Sequence, residues 1–349
     1  LLNKDEMDNH NERPEIIEAR EKGEVAPMKE IKVTKNDSGQ RIDRFLSKSF
    51  PLGQGQICKL ARKNCIKLNG KKCKPDTHIA ENDIIKLFIP DEMLIPKAKT
   101  DPDDFTAVSD KIDIVYEDEN ILLADKPVGM VVHEDESGDS NTLINRIKSY
   151  LYHKGEYHPE NELSFAPALC NRIDRNTCGI VIAAKNAESL RILNQKIRDR
   201  ELTKLYLCIA CGKVTPDSAT LTAYLEKNSD TNTVKISDKK TKSNLTIKTK
   251  YKVIAYNGEN SLLKVDLLTG RTHQIRAHLA YIGHALLGDG KYGNNKLNKK
   301  YGFKYQALCS YELQFKFTTD AGCLSYLDGK CFKAKAPDFV KMFGSNIKL

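Results

Sequence analysis

The chain has 349 residues, of which 40% are hydrophobic and 30% charged, and its formal net charge is +9. This length suggests two domains and allows a sizeable core. The sequence shows neither an apolar run of bilayer length nor a secretion signal, so we expect a cytoplasmic protein that makes no membrane contact. Ten cysteines at irregular spacings fit reduced thiols better than a disulfide framework.

The charge is unevenly distributed along the chain. The first thirty residues contain nine acids and only five Lys or Arg, whereas the rest of the chain is strongly basic. We predict that residues 1–30 form an acidic, disordered tail, because they lack apolar periodicity. A basic body suggests a nucleic-acid partner, with a merely basic enzyme as the plain alternative.

A small basic domain is predicted over residues 31–90. Two short amphipathic helices are followed by a strand at 66–68, a turn at Asn69-Gly70 and a strand at 84–89. From Arg41 to Ile89 there are eleven Lys or Arg and four acids. The residues that mark the helices are Ile42, Phe45 and Leu46, and then Ile57, Leu60 and Ala61.

This region resembles the small RNA-binding module named after ribosomal protein S4. Asn64 and Asn82 stand where that family usually has Gly, and Asn best replaces Gly in a left-handed backbone conformation. The resemblance implies an RNA-binding α/β module. Its candidate phosphate contacts are Arg41, Arg44, Lys59, Arg62 and Lys63, although a solvated helix face is the alternative for each.

Residues 91–110 are rich in Pro and acids and are predicted to be a linker, and residues 111–345 to be a larger domain. Within it, Asp174 lies between Arg172 and Arg175, just before an apolar run at 180–184 that predicts a buried strand. Flanking guanidinium groups favour a charged carboxylate, so we expect Asp174 to be ionised and available as a nucleophile or base. The alternative is a polar turn whose carboxylate is tied up by its neighbours.

A helix and a strand are predicted to follow the Asp174 segment. Asn186 is placed to cap a helix that continues to about Arg200. In the strand at 203–210, alternation puts Lys204 and Tyr206 on one face and Leu205 on the other. We therefore expect Tyr206 to have an accessible hydroxyl, with an ordinary half-buried tyrosine as the alternative.

Another strand, marked by Leu263, Val265 and Leu267, leads to Gly270 and Arg271. Thr272 is expected to cap a helix running to Gly283. Arg271 would then lie at the head of that helix, where it could hold either a phosphate or a carboxylate such as Asp174.

Metal and cofactor signals are weak. His273 and His278 are five residues apart and would point in different directions from a helix. The Cys208 and Cys211 pair lies on a predicted strand, and no second pair accompanies it. We therefore expect the chemistry to need neither metal nor cofactor.

Several segments together resemble the RluA-type pseudouridine synthases, in order and in spacing. They are residues 125–133, residues 172–177, Lys204 with Tyr206, residues 268–276, Gly288-Asp289 and Tyr292-Gly293. The resemblance implies an α+β fold, with a long mixed, largely antiparallel sheet, flanking helices and a central RNA-binding cleft. With the basic module in front, the chain is most similar to the large-subunit ribosomal RNA branch.

The resemblance also implies residue roles in converting uridine to pseudouridine. Asp174 matches the catalytic aspartate, Tyr206 the active-site tyrosine and Arg271 the arginine paired with the aspartate. Arg172 matches the arginine that fills the space left by the flipped uridine. Further RNA-contact candidates in the large domain are Lys204, Arg175, Arg276 and His273.

Two positions depart from the family pattern, because Asn171 and Cys178 stand where His and Ser are usual. Because of Asn171, a non-catalytic RNA-binding assembly factor remains an alternative function. An N-glycosidase is a second alternative, since it would also have to flip the base out of the helix. We expect RNA as the partner, either 23S ribosomal RNA or a large-subunit precursor, with transfer RNA as an alternative, and a monomeric enzyme.

Overall fold

The computed structural model describes residues 28–95, 105–134, 138–228, 233–344 and 347–349. The chain divides into two compact units. The small unit comprises residues up to 102 together with 158–166, and the large unit comprises 103–157 and 167–349. The predicted acidic tail lies outside the described residues, apart from its last three positions.

In the residues that the structure describes, the small unit combines two α-helices with an antiparallel sheet of strand order β1-β4-β2-β3. Phe45, Leu46, Ile57, Ile85 and Leu87 have no exposed surface, so both helices pack on the sheet around one apolar core. The bounds are β1 (Met28–Lys32), α1 (Ile42–Ser49), α2 (Gln54–Arg62), β2 (Ile66–Leu68), β3 (Lys71–Lys72) and β4 (Ile84–Phe88). The helices and the later strands therefore lie where the sequence predicted them.

Asn64 and Asn82 adopt the left-handed backbone conformation expected of them. Their φ angles are 61° and 68°, at the end of α2 and just before β4 respectively. Asparagine tolerates this region better than other residues that carry a Cβ, so both turns form without glycine.

The small unit also contains a segment that sequence reasoning did not assign to it, residues 158–166. Leu163 packs against the apolar core of this unit. Ser164 Oγ donates to Asp37 Oδ1 at 2.6 Å, and Gln40 Nε2 donates to Ser164 Oγ at 2.8 Å. The predicted linker also starts too early, because Leu94 is buried in the same core.

The large unit is built on one sheet. Eleven of the described strands belong to it, with the order β11-β10-β12-β13-β9-β14-β8-β6-β5 and with β15 and β7 paired to β14 and β8. Only β14 and β8 are parallel among the described pairs, so the sheet is mixed and largely antiparallel, as predicted. The bounds are β5 (Ile114–Glu117), β6 (Ile121–Lys126), β7 (Ala168–Leu169), β8 (Cys178–Ala184), β9 (Leu202–Cys211), β10 (Ser218–Asn228), β11 (Thr233–Ser237), β12 (Leu245–Tyr256), β13 (Asn260–Leu267), β14 (Leu308–Phe315) and β15 (Cys331–Lys333).

Helices flank this sheet. They are α3 (Leu143–His153), α4 (Ala187–Arg198), α5 (Gln274–Tyr281) and α6 (Asn295–Lys300). Helix α4 begins as predicted, because the Asn186 side chain accepts the Ser189 N–H at 2.8 Å. It covers the apolar strand β8, whose residues from Gly179 onward are all buried. Within the part of the chain that the structure describes, no helix is long and apolar enough to cross a membrane.

Candidate active site

Asp174 lies in the loop between β7 and β8, and a buried lysine fixes this loop. Lys126, which has no exposed surface, donates from Nζ to the carbonyls of Pro127 (2.8 Å), Met130 (2.7 Å) and Arg175 (2.9 Å). Gly129 N–H donates to the same Arg175 carbonyl at 3.0 Å. The loop after β6 and the Asp174 loop are thereby tied together. Burial lowers the pKa of Lys126 to about 8.

The two residues that depart from the family pattern have structural roles beside this loop. Asn171 Oδ1 accepts the Ile182 N–H at 2.8 Å and so extends the pairing of β7 with β8 by a side chain. Cys178 Sγ lies 3.7 Å from the carbonyl oxygen of Leu308. The thiol can donate a hydrogen bond to this oxygen, as a serine hydroxyl would. Neither substitution removes a hydrogen-bonding group from the loop.

Gly179 allows β8 to approach β14 directly behind the loop that carries Asp174. It faces Ser310 in the parallel ladder, and its φ is +106°. A Cβ at this position would lie 2.2 Å from the Ser310 carbonyl oxygen, which is far inside van der Waals contact. The close strand approach therefore requires glycine.

The guanidinium that binds Asp174 belongs to Arg276, which corrects the prediction for Arg271. Arg276 Nη1 donates to Asp174 Oδ2 at 2.9 Å. Helix α5 begins at Gln274 with His273 as its N-cap, instead of the predicted Thr272. Arg271 therefore lies in the exposed turn before the helix, whereas Arg276 lies on its buried face. The RNA contact predicted for Arg276 stays a prediction, and 7% of its side chain is exposed.

Asp289 holds the other side of Arg276. Its oxygens accept from Arg276 Nε at 2.7 Å and from Nη2 at 3.0 Å, and Oδ1 also accepts the N–H groups of Lys291 and Tyr292. Asp289 is fully buried. Burial alone would raise its pKa, but the Arg276 hydrogen bonds and charge hold that pKa below its usual value. The guanidinium is thus clamped between two carboxylates, of which only Asp174 reaches solvent.

His273 completes the surroundings of Asp174 and is held in the left-handed conformation, with φ 52°. Its Nδ1 lies 2.9 Å from the Tyr292 hydroxyl, and its Nε2 lies 3.9 Å from Asp174 Oδ2. Burial lowers the pKa of His273, so the ring is neutral at neutral pH. The RNA contact predicted for this side chain stays a prediction, and 9% of the side chain is exposed.

Asp174 itself remains partly accessible. Its side chain is 26% exposed, and both Arg276 and His273 approach the oxygen Oδ2. Within the described residues, Oδ1 accepts no hydrogen bond. A carboxylate held on one oxygen and open on the other is suited to attack a substrate carbon or to remove a proton.

Tyr206 is buried, which corrects the prediction of an accessible hydroxyl. Only 6% of its surface is exposed, because β9 is an inner strand in which Tyr206 faces Val265 on β13 and Ser310 on β14. Burial, and secondarily the charge of Asp174, raises the pKa of Tyr206 to about 12. The phenol is therefore neutral at neutral pH and can act as a hydrogen-bond donor.

The other predicted RNA contacts lie at the surface to different degrees. In the large unit, Arg172 and Arg175 are exposed, whereas Lys204 is half-buried and burial lowers its pKa. In the small unit, Arg41 is partly engaged, since it pairs with the buried Asp43 at 2.6 Å. The remaining four, Arg44, Lys59, Arg62 and Lys63, are exposed.

Comparison with known proteins identifies the family. Residues 120–281 match the family model described as RNA pseudouridylate synthase. The chain is 36% identical over 293 residues to an uncharacterized RNA pseudouridine synthase of Mycoplasma genitalium, covering 81% of this chain and 88% of the relative. It is 30% identical over 291 residues to ribosomal large subunit pseudouridine synthase C of Escherichia coli, covering 80% and 84%.

A solved structure shows the same fold. Human RNA pseudouridylate synthase domain containing 1 superposes with a TM-score of 0.51 at 20% identity, over 66% of this chain and 84% of that one. The fold, the motif residues around Asp174 and the curated relatives agree. The chain belongs to the RluA-type RNA pseudouridine synthases, which isomerise uridine to pseudouridine in RNA.

Proposed function

We propose that this enzyme isomerises one or more uridines of 23S ribosomal RNA, in the cytoplasm, with Asp174 as its nucleophile or base. The observation that carries this proposal is the Asp174–Arg276–Asp289 arrangement, which presents one free carboxylate oxygen from a rigid support. The name of the Escherichia coli relative supports a large-subunit RNA substrate.

The reaction breaks the bond between C1′ and N1 of uridine and joins C1′ to C5 of the same base. Because the product is an isomer, no redox partner or energy source is consumed. The uridine must first leave the helical stack, which costs a few kcal/mol. We propose that the exposed Arg172 occupies the vacated space and offsets part of that cost.

Asp174 Oδ1 would then attack C1′ or remove the 2′ proton, and both routes use the same free oxygen. Arg276 orients the carboxylate in either route, a role that the resemblance assigned to Arg271. Tyr206, neutral because its pKa is about 12, would contact the base and donate a hydrogen bond during the rearrangement.

The small unit is proposed to be an S4-like RNA-binding module. Its two helices carry the exposed cations Arg44, Lys59 and Arg62, which can contact phosphates without reading sequence. Such a module would raise affinity for large RNA, while the large unit selects and modifies the uridine.

The test is carbodiimide-based pseudouridine mapping of 23S rRNA and tRNA in host cells that lack the gene. Cells restored with wild type should regain the missing sites, whereas cells restored with Asp174→Asn should not, although the variant folds and binds RNA. Sites that return with Asp174→Asn would refute the catalytic role. An unchanged map would instead favour a non-catalytic assembly factor, and abasic sites in purified reactions would indicate an N-glycosidase.

A further inference from the structure

The sheet face that points away from the active site carries a row of lysines. Strand β12 alternates between buried Ile247, Thr249 and Tyr251 and exposed Lys248, Lys250 and Lys252. From residue 239 to residue 252 the chain has six lysines and no acid. The three strand lysines are hereafter called the lysine row.

The strand register fixes the face on which the lysine row lies. Tyr206 pairs with Val265, which pairs with Tyr251, so these three side chains share one face of the sheet. Helix α5 packs on this face, since His278 Nδ1 lies 3.0 Å from Thr249 Oγ1. Successive strand residues point to opposite faces, so the lysine row lies on the reverse face.

The neighbours of the lysine row are hydroxyls on one side. Lys248, Lys250 and Lys252 face Thr222, Thr220 and Ser218 on β10, and all three of these residues are exposed. A hydroxyl group can donate a hydrogen bond to a phosphate oxygen, and a lysine ammonium group donates to it and also attracts it by charge. The acid on β10, Glu226, lies four residues beyond Thr222 and accepts a hydrogen bond from Ser243 Oγ at 2.8 Å.

On the other side the charge is only partly compensated. Lys250 faces Asp266 on β13, and Lys252 faces Lys264. Lys264 is already paired with Glu312, with 2.8 Å between Nζ and Oε2. Like charges along a strand repel, so the row stabilises the folded chain less than neutral residues would. The row therefore retains a net positive charge that suits a polyanion.

We propose that the lysine row binds the phosphodiester backbone of the RNA substrate on the face opposite the catalytic loop. Residues two apart on a strand are about 6.8 Å apart, comparable with successive phosphates of an extended RNA strand. The proposal rests on RNA being the substrate and adds a second contact surface. A large, structured RNA reaches both faces, whereas a short stem-loop bound at Asp174 reaches one.

The test compares two triple variants in the full-length protein. One carries Lys248→Gln, Lys250→Gln and Lys252→Gln. The matched control carries Lys316→Gln, Lys335→Gln and Lys348→Gln, which removes the same charge from exposed positions elsewhere. Affinity for transcribed 23S rRNA is measured as a function of KCl concentration, and turnover is measured on a short target stem-loop.

The row variant should bind 23S rRNA on the order of tenfold more weakly, with a salt slope reduced by about 2, while stem-loop turnover stays at the wild-type level. The control triple should show neither change, and a Lys→Arg version of the row should restore binding. Equal affinities and slopes for the row variant, the control and wild type would overturn the inference. Failure of wild type to isomerise any uridine would refute the proposed function, while the binding comparison would still decide the role of the row.

Discussion

Arg276 determines how the Asp174 carboxylate is presented. Its guanidinium is planar and forks, so it can bind Asp289 through two nitrogens and Asp174 through a third. Because Asp289 is fully buried, its charge depends on Arg276 for compensation. The same residue therefore contributes to stability and to the geometry of Asp174.

Replacing Arg276 by Met should lower the free energy of unfolding by about 3–5 kcal/mol, because it leaves a buried carboxylate unpaired. Turnover should fall as well. Arg276→Lys keeps the charge but loses the forked guanidinium group. Its free energy of unfolding and its turnover should therefore lie between those of Arg276→Met and those of wild type. Denaturant unfolding and single-turnover assays measure both effects.

Arg271→Met is the matched control for this prediction. Arg271 is exposed, so the free energy of unfolding should change by no more than about 0.5 kcal/mol. If Arg271→Met destabilises the protein or abolishes turnover as strongly as Arg276→Met, the assignment of Arg276 as the supporting arginine is wrong.

His278 is a buried histidine that should make stability depend on pH. Its exposed fraction is 1%, and burial lowers its pKa to about 4. In the unfolded chain it titrates near 6.5, so as the pH falls the unfolded state takes up the proton first. The stabilisation is fully present above about pH 6.5 and is lost as the pH falls toward about 4.

Wild type should therefore lose about 1.4 kcal/mol of unfolding free energy per pH unit in this window from His278 alone. In His278→Gln this contribution should disappear, so the variant's stability should depend less on pH between 6.5 and 4. Urea unfolding of both proteins across this pH range gives the comparison. Parallel pH profiles would show that His278 does not titrate as its burial implies.

Among the strands, the β8–β14 pair supports the loop that carries Asp174. These strands form a parallel pair, and Gly179 lets them approach one residue after Cys178. Helix α5 contributes the other part of the site, since its start at Gln274 puts Arg276 in the first, buried turn. Strand spacing and helix start together set the position of Asp174 relative to Arg276.

Gly179→Ala should cost about 3 kcal/mol or more, because it combines a clash with the Ser310 carbonyl and a positive φ that alanine disfavours. Gly290→Ala is the control, since a Cβ there meets no atom within 4 Å. Thermal unfolding should separate the two variants by several degrees. Similar midpoints for both would mean that the strands can separate at little cost.

At the scale of the whole molecule, the two units are connected by more than the linker. The chain enters the small unit again at residues 158–166, where Leu163 joins its apolar core. Deleting residues 31–90 would therefore uncover Leu163 as well as remove the cations. Charge neutralisation is the cleaner way to test RNA binding by this unit.

The triple variant Arg44→Gln, Lys59→Gln and Arg62→Gln should weaken binding to 23S rRNA and reduce its salt dependence, while turnover on a short stem-loop stays close to wild type. Lys71→Gln, Lys72→Gln and Lys74→Gln provide the control from the same unit, since these exposed lysines lie on β3 and in the loop after it and not on a helix. Gel-shift titrations at several KCl concentrations measure the effect. Equal losses for both triples would show that the helical cations have no special role.

Features that depend on residues close together in the chain could be predicted from the sequence. The Asn186 cap and the left-handed Asn64 and Asn82 follow from local backbone and side-chain preferences. The same is true of the motif segments that identify the family, because their residues are close in the chain.

Contacts between groups that are far apart in the chain could not be predicted in this way, because they form only in the assembled fold. Asp174 and Arg276 are 102 residues apart, and all residues of α5 from Gln274 to Leu279 are buried, so the position of Arg276 depends on how the whole helix packs. Tyr206 is buried because β13 and β14 pair on both sides of β9, which its own alternation cannot reveal. The pairing of Asp289 with Arg276 and the packing of Leu163 in the core of the small unit also depend on the folded structure, since burial and charge compensation are properties of the assembled core.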